Sequence, residues 1–218
     1  MSVFNWSLFH ELPVVGILRG YSEEELHGII PAVCEGGLTT IEVTMNSANP
    51  LLQIDLIAEL AGDQMNVGAG TVLTVDQCQA ALAAGASYIV TPVVNPEVIN
   101  FCVKEKVPVF PGAFTPTEVW QAWSLGATMV KLFPANQLGP SYLKDIKGPL
   151  NEVKLLATGG VKPENLADFH AAGASGFGVG SPLFHKDRVA AKDWACVRSQ
   201  AERFVTAWKS IPSQTNHA

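Results

Sequence analysis

Short β-branched runs alternate with longer helix-compatible stretches along the whole chain, and this alternation limits the possible folds more than any other feature. The runs are VVGILR (14–19), TTIEVTM (39–45), NVGAG (66–70), YIVTP (88–92), VPVFPG (107–112), MVKLFP (129–134), KLLATGG (154–160) and GFGVG (176–180). Their starts recur at roughly 23 residues, room for one strand, one helix and tight loops. Eight such units close into a (β/α)8 TIM barrel, and 218 residues suit a small one. An open doubly wound sheet has the same local signature and is the alternative. With 48% apolar residues, a chain of this length supplies one core, so a single domain is expected. Its expected parts are a capping helix within 1–12, the barrel over 13–209 and a flexible tail over 210–218.

Composition removes several classes of function. Charged residues make up only 16%, the net charge is −6, and the few cations do not cluster. A nucleic-acid partner is therefore not expected. Apolar runs break before ~18 residues, so no membrane span is expected, and MSVFNWSLFHEL lacks the basic start and apolar stretch of a signal peptide. Cys34, Cys78, Cys102 and Cys196 form no CxxC pair. Three of them fall in helix-like segments, and all are read as reduced structural thiols of a cytoplasmic protein. His10, His27, His170, His185 and His217 are scattered, with no HxxxH pair. Neither a metal nor another cofactor is expected.

The intervening segments carry helix start and stop signals. Ser22 precedes Glu23, Glu24 and Glu25, an N-cap followed by acids at the positive end of the dipole. In TPTEVWQAWSLG the cap is Thr115 or Thr117 and the terminator is Gly126. Pro163 sits in the first turn of a helix that ends before Gly173.

A helix-ending glycine followed by an apolar strand occurs four times, as GLTTIEV, GASYIVT, GATMVKL and GASGFGV. These cassettes introduce strands 2, 4, 6 and 8. Five residues on from each glycine stand Glu42, Val90, Lys131 and Gly178. Alternate strands of such a barrel supply one layer of interior side chains. Equal geometry in the four cassettes therefore points Glu42 and Lys131 into one layer from opposite walls.

Lys131 lies in an apolar strand, towards the end where barrel enzymes build their sites. An ionised amine there loses several kcal/mol of hydration. It is either a structural partner of Glu42 or a nucleophile whose pKa is lowered from ~10.4 towards ~7–8, able to attack a ketone. Glu42 is the same anomaly with opposite sign, a structural partner or a proton-transfer group. Gly159 and Gly160 end strand 7, and Gly180 and Ser181 end strand 8, where barrels commonly hold phosphate on backbone amides. Thr71 tops strand 3, its hydroxyl placed to hold a substrate carboxylate or hydroxyl, and Arg19, the one arginine before position 188, ends strand 1 as either the cationic partner of a carboxylate or half of a surface salt bridge. Pro92, Pro111 and Phe133 shape an apolar wall.

Taken together, ILRG, GG-TTIEVT, VGAGTVLT, IVTP, FPGAFTPTE, VKLFPA, TGGV-PEN and GVGS resemble the 2-keto-3-deoxy-6-phosphogluconate (KDPG) aldolase family, which includes enzymes that also cleave 4-hydroxy-2-oxoglutarate (KHG). The resemblance runs from about Pro13 to Lys209. It implies a metal-free class I aldolase on a (β/α)8 barrel, usually a homotrimer. By resemblance Lys131 is the Schiff-base lysine and Glu42 the catalytic glutamate. Thr71, Pro92, Phe133 and Thr158 then match the pyruvate pocket, and Gly159, Gly160, Gly180 and Ser181 the phosphate site. Many gluconate-type members follow EVT with an arginine, whereas EVTMNSANP is similar to the galactonate-type (KDPGal) aldolases. The carboxylate ligand stays open between Arg19 and the threonines, and the C4 configuration of the substrate stays open too. The implied reaction releases pyruvate and glyceraldehyde 3-phosphate from a phosphorylated keto-deoxy sugar acid. Rival readings are a phosphate-binding barrel isomerase or synthase without an imine, and a non-catalytic phosphosugar scaffold.

Overall fold

A computed structural model describes residues 2–212; part of the tail expected over 210–218, residues 213–218, lies outside the described residues. The order of elements is α1 (Trp6–Glu11), β1 (Val14–Leu18), α2 (Glu23–Glu35), β2 (Thr40–Thr44), α3 (Pro50–Ala61), β3 (Asn66–Gly70), α4 (Val75–Ala83) and β4 (Ile89–Thr91). It continues with α5 (Pro96–Lys104), β5 (Val109–Ala113), α6 (Pro116–Ser124), β6 (Val130–Leu132), α7 (Gly139–Lys147), β7 (Leu155–Thr158), α8 (Leu166–Ala171) and β8 (Ala174–Val179). Two helices, α9 (Lys186–Ala190) and α10 (Trp194–Lys209), complete the chain. All strands are parallel and each pairs with the next, with β8 returning to β1. The barrel is closed, which excludes the open doubly wound sheet.

Local chemistry sets the helix starts. Ser22 and Thr115 each form a capping box, with Glu25 and Glu118 reaching back to the cap. Thr115, not Thr117, is thus the cap of α6. Pro163 opens a short 3₁₀ turn, and α8 starts only at Leu166. All four cysteines lie on helices, one more than expected. Cys34 and Cys196 face partly outward, while Cys78 and Cys102 are buried.

The strand register sorts the inward side chains into layers of four. Thr40, Tyr88, Met129 and Gly176 form the bottom one, followed by Val15, Gly68, Phe110 and Leu156. Above these come Glu42, Val90, Lys131 and Gly178, then Ile17, Gly70, Gly112 and Thr158. Phe4 and Phe9, before and within α1, close the bottom by packing on Val15, Tyr88, Val90, Phe110, Met129 and Leu156. Burying each such aromatic ring stabilises the fold by about 1.5–3 kcal/mol. The bottom is filled by rings. The upper two layers hold no aromatic ring and have glycine at 70, 112 and 178, and that asymmetry leaves room for a site at the carboxyl ends of the strands.

Candidate active site

Lys131 projects from β6 and Glu42 from β2, four strands away and therefore across the barrel. They are 6% and 2% exposed, and among the described residues Lys131 is the only buried lysine. Burial pulls the Lys131 pKa below the usual lysine range; the Glu42 charge opposes this and the Arg19 charge adds to it. Burial pushes Glu42 up, opposed by Lys131 and Arg19. Both shifts favour neutral forms, which suits an amine that must be unprotonated and an acid that must exchange protons near neutrality.

The space around the pair is made by absent side chains. A Cβ on Gly70 would stand 2.3 Å from Glu42 Oε1. A Cβ on Gly178 would stand 2.4 Å from Thr158 Oγ1. Glycine at 70 therefore lets the carboxylate lie against β3, and glycine at 178 admits the threonine to the layer above Lys131. The Thr158 hydroxyl is buried with no hydrogen-bond partner, an orphan donor in the path of anything that reaches the amine.

Above this floor lies a cleft of about 420 Å³. Among the residues lining it are Ile17, Arg19, Tyr21, Phe133, Thr158, Gly159, Gly160, Gly180, Ser181 and Lys186. The Phe133 ring stands between cleft and amine, its centroid 5.3 Å from Lys131 Nζ. Gly159 and Gly160 both have positive φ, 99° and 71°, a path that side chains oppose. Asn165 ties that loop shut: it accepts from the Lys162 amide at 2.8 Å and donates to the Gly160 carbonyl at 3.0 Å.

Of the sequence-predicted residues, Arg19, Phe133, Thr158, Gly159, Gly160, Gly180 and Ser181 meet in the cleft. Lys131 and Glu42 lie beneath it. Thr71 and Pro92 are outside its lining. Thr71 reaches the site through Arg19, whose Nη2 donates to Thr71 Oγ1 at 3.4 Å. It does so from a left-handed backbone, φ 57°, which costs a β-branched residue about 1–3 kcal/mol. Pro92 stands on the adjoining rim, its carbonyl oxygen 2.4 Å from where a Cβ on Gly112 would lie. Pro111 is on β5.

Sequence reasoning missed three contributors. Lys186, given no role from sequence, starts α9 and lines the cleft; a lone lysine outside any strand or motif gave no signal. Ser47 accepts from the Gly20 amide at 3.0 Å and shares a 3.0 Å hydrogen bond with Thr44 Oγ1. It thereby pins the turn that carries Arg19. Asn165 was visible only as part of a PEN motif.

Fold and site together define a small (β/α)8 barrel of the enzyme type, with a buried amine and a buried acid beneath a cleft at the carboxyl ends of its strands. The family model described as KDPG and KHG aldolase matches residues 6–200, and the chain belongs to that family. A protein of Rhizobium meliloti (strain 1021), named probable 2-dehydro-3-deoxy-6-phosphogalactonate aldolase, is 38% identical over 202 residues, 92% of this chain and 93% of its own. A 2-dehydro-3-deoxy-phosphogluconate aldolase of Pseudomonas aeruginosa is 36% identical over 198 residues, 88% of each chain. A KDPG aldolase structure from Legionella pneumophila, with pyruvate captured at low pH as a covalent carbinolamine intermediate, matches with a TM-score of 0.83 at 25% identity, covering 90% of this chain and 95% of its own. The protein is thus an aldolase, a lyase, of the KDPG and KDPGal type.

Proposed function

We propose that the chain is a class I aldolase that cleaves 2-dehydro-3-deoxy-6-phosphogluconate to pyruvate and D-glyceraldehyde 3-phosphate, and also accepts 4-hydroxy-2-oxoglutarate, giving pyruvate and glyoxylate. The observation that carries this reading is Lys131: one buried lysine, lowered in pKa, beneath a cleft with glycine turns. Neutral Lys131 adds to the C2 ketone, and loss of water gives a cationic imine. Glu42, directly or through a water, takes the C4 hydroxyl proton as the C3–C4 electrons flow into the imine. The aldehyde leaves, Glu42 returns a proton to the enamine carbon, and hydrolysis frees pyruvate. The imine acts as electron sink while the barrel supplies orientation and proton affinities.

In this reading Arg19 and Thr71 hold the substrate carboxylate, Thr158, Phe133 and Pro92 frame the pyruvyl unit, and the amides of Gly159, Gly160, Gly180 and Ser181 take the phosphate. Lys186 adds a positive charge at that end. No metal or cofactor enters the scheme. The KDPGal reading is the second one, favoured by Asn46–Ser47 after the EVT motif and by the 38% identical relative. A coupled assay with both epimers tests the choice: a kcat/KM at least tenfold higher for the galactonate substrate overturns the gluconate assignment.

The family resemblance also supports a homotrimer acting in the cytoplasm. Exposed Leu73, Val93 and Trp120 offer apolar surface for subunit contacts. Sedimentation at the mass of one chain would rule the trimer out. No described helix is long and apolar enough to cross a membrane.

A further inference from the structure

Immediately before β4, Tyr88 is completely buried, and its hydroxyl meets no hydrogen-bond partner. The ring is held by Phe4 and Phe110, with centroids 5.2 and 5.5 Å away. Its tip leans over Gly68, where a Cβ would stand 2.3 Å from Cε1 and 2.4 Å from Cζ. The hydroxyl oxygen is bonded to that Cζ, and Gly68 is the register partner of Glu42. The phenol therefore lies over β3, in the level just below Glu42. Oε1 of Glu42, lodged against Gly70 two residues further along β3, is likewise buried without a partner. Neighbouring phenylalanines already show what packing at this level asks for; an added oxygen carries a desolvation cost that packing does not explain.

We propose that Tyr88 is a positioning residue for Glu42, its hydroxyl donating through one ordered water to the carboxylate and holding it in its ionised form beneath the substrate. Two unpartnered buried polar atoms reaching over β3 from either side, one from β2 and one from the start of β4, make the polar niche that such a water needs. Burial first, and then the Glu42 charge, push the phenol well above its ordinary pKa, so it remains a donor wherever the enzyme works. The other charged groups acting on Glu42 are Lys131 from β6 and Arg19 from the end of β1. The inference rests on the reading of Glu42 as the proton-transfer group.

Tyr88→Phe keeps the ring and removes only the oxygen. We expect it to form the borohydride-trapped pyruvate adduct as fast as the unaltered enzyme, with KM unchanged and kcat lowered about fivefold. The acid limb of its kcat–pH profile should move upward by roughly half to one unit, because a lost donor disfavours the carboxylate. Built into Glu42→Gln, the same change should add no further loss. Tyr88→Leu, a second oxygen-free variant, should show the same limb shift even if packing alters its kcat. An unshifted limb in both variants, or an equal loss in the Glu42→Gln background, overturns the inference. Full turnover by Glu42→Gln alone overturns the glutamate reading and this one together. A crippled Glu42→Gln beside a normal Tyr88→Phe overturns only the role of Tyr88.

Discussion

Glu42 and Lys131 face each other across the barrel at one level, yet no N–O contact of 4.0 Å or less joins them. A structural ion pair buried this deeply requires close, well-satisfied geometry to offset desolvation. Here the carboxylate leaves an oxygen unpartnered. In the proposed mechanism the gap between them takes the substrate's reacting carbons. If so, Glu42→Gln forms the pyruvate imine but turns over about 10²-fold more slowly; single-turnover trapping beside steady-state assay separates the two steps, and equal turnover assigns the proton transfer elsewhere.

The same separation has a cost in stability. Lys131 is lowered, so between its folded pKa and ~10.4 the unfolded chain binds more protons and stability rises with pH. Below that window its penalty is complete. Glu42 is raised, so stability falls as pH rises from ~4.3 through its folded pKa, and above that its penalty is complete. The double variant Lys131→Met with Glu42→Gln should therefore be more stable than the parent at pH 7, by about 1–4 kcal/mol. The lysine part of the gain should vanish above ~10.4 and the glutamate part below ~4.3. Denaturant unfolding at these pH values checks it; a less stable double variant would mean the pair holds the barrel together.

Much of this was legible in the chain. The four glycine cassettes placed Glu42 and Lys131 in one layer because parallel strands at a fixed period keep their inward faces in register. Strand ends were less visible. MVKLFP was marked over six residues, but the strand is Val130–Leu132 and only Lys131 and Leu132 have partners on both sides; Phe133 already lines the cleft. Arg19 stood out as an isolated cation, whereas Ser47 was visible only as half of the Asn-Ser pair after the EVT motif and Lys186 not at all. Their roles depend on which loops meet at the rim, and local pattern does not encode that. Tyr88 reads as one more core aromatic until Gly68 shows where its tip goes.

Arg19 lowers both Lys131 and Glu42. Arg19→Leu should therefore shift the pH midpoint of pyruvate adduct formation upward and raise KM for pyruvate-bearing substrates about tenfold. A midpoint that stays put would show that burial alone tunes the amine.

Lys186 is exposed at the cleft rim. Lys186→Ala should raise KM for a phosphorylated substrate about 3- to 10-fold and leave cleavage of unphosphorylated 4-hydroxy-2-oxoglutarate unchanged. The defect should shrink at high salt. Equal effects on both substrates would place the phosphate elsewhere.

Gly70→Ala would put a methyl 2.3 Å from Glu42 Oε1, where the carboxylate must swing away. Turnover should fall at least about tenfold with adduct formation retained. Normal kcat would show that the orientation of the carboxylate does not matter.

Borohydride reduction in the presence of saturating pyruvate, followed by peptide mass spectrometry, reaches the core of the account directly. A single reduced pyruvyl adduct on Lys131, lost together with cleavage activity in Lys131→Met, is the predicted result. An unmodified Lys131, or a Lys131→Met protein that still cleaves its substrate, would contradict it.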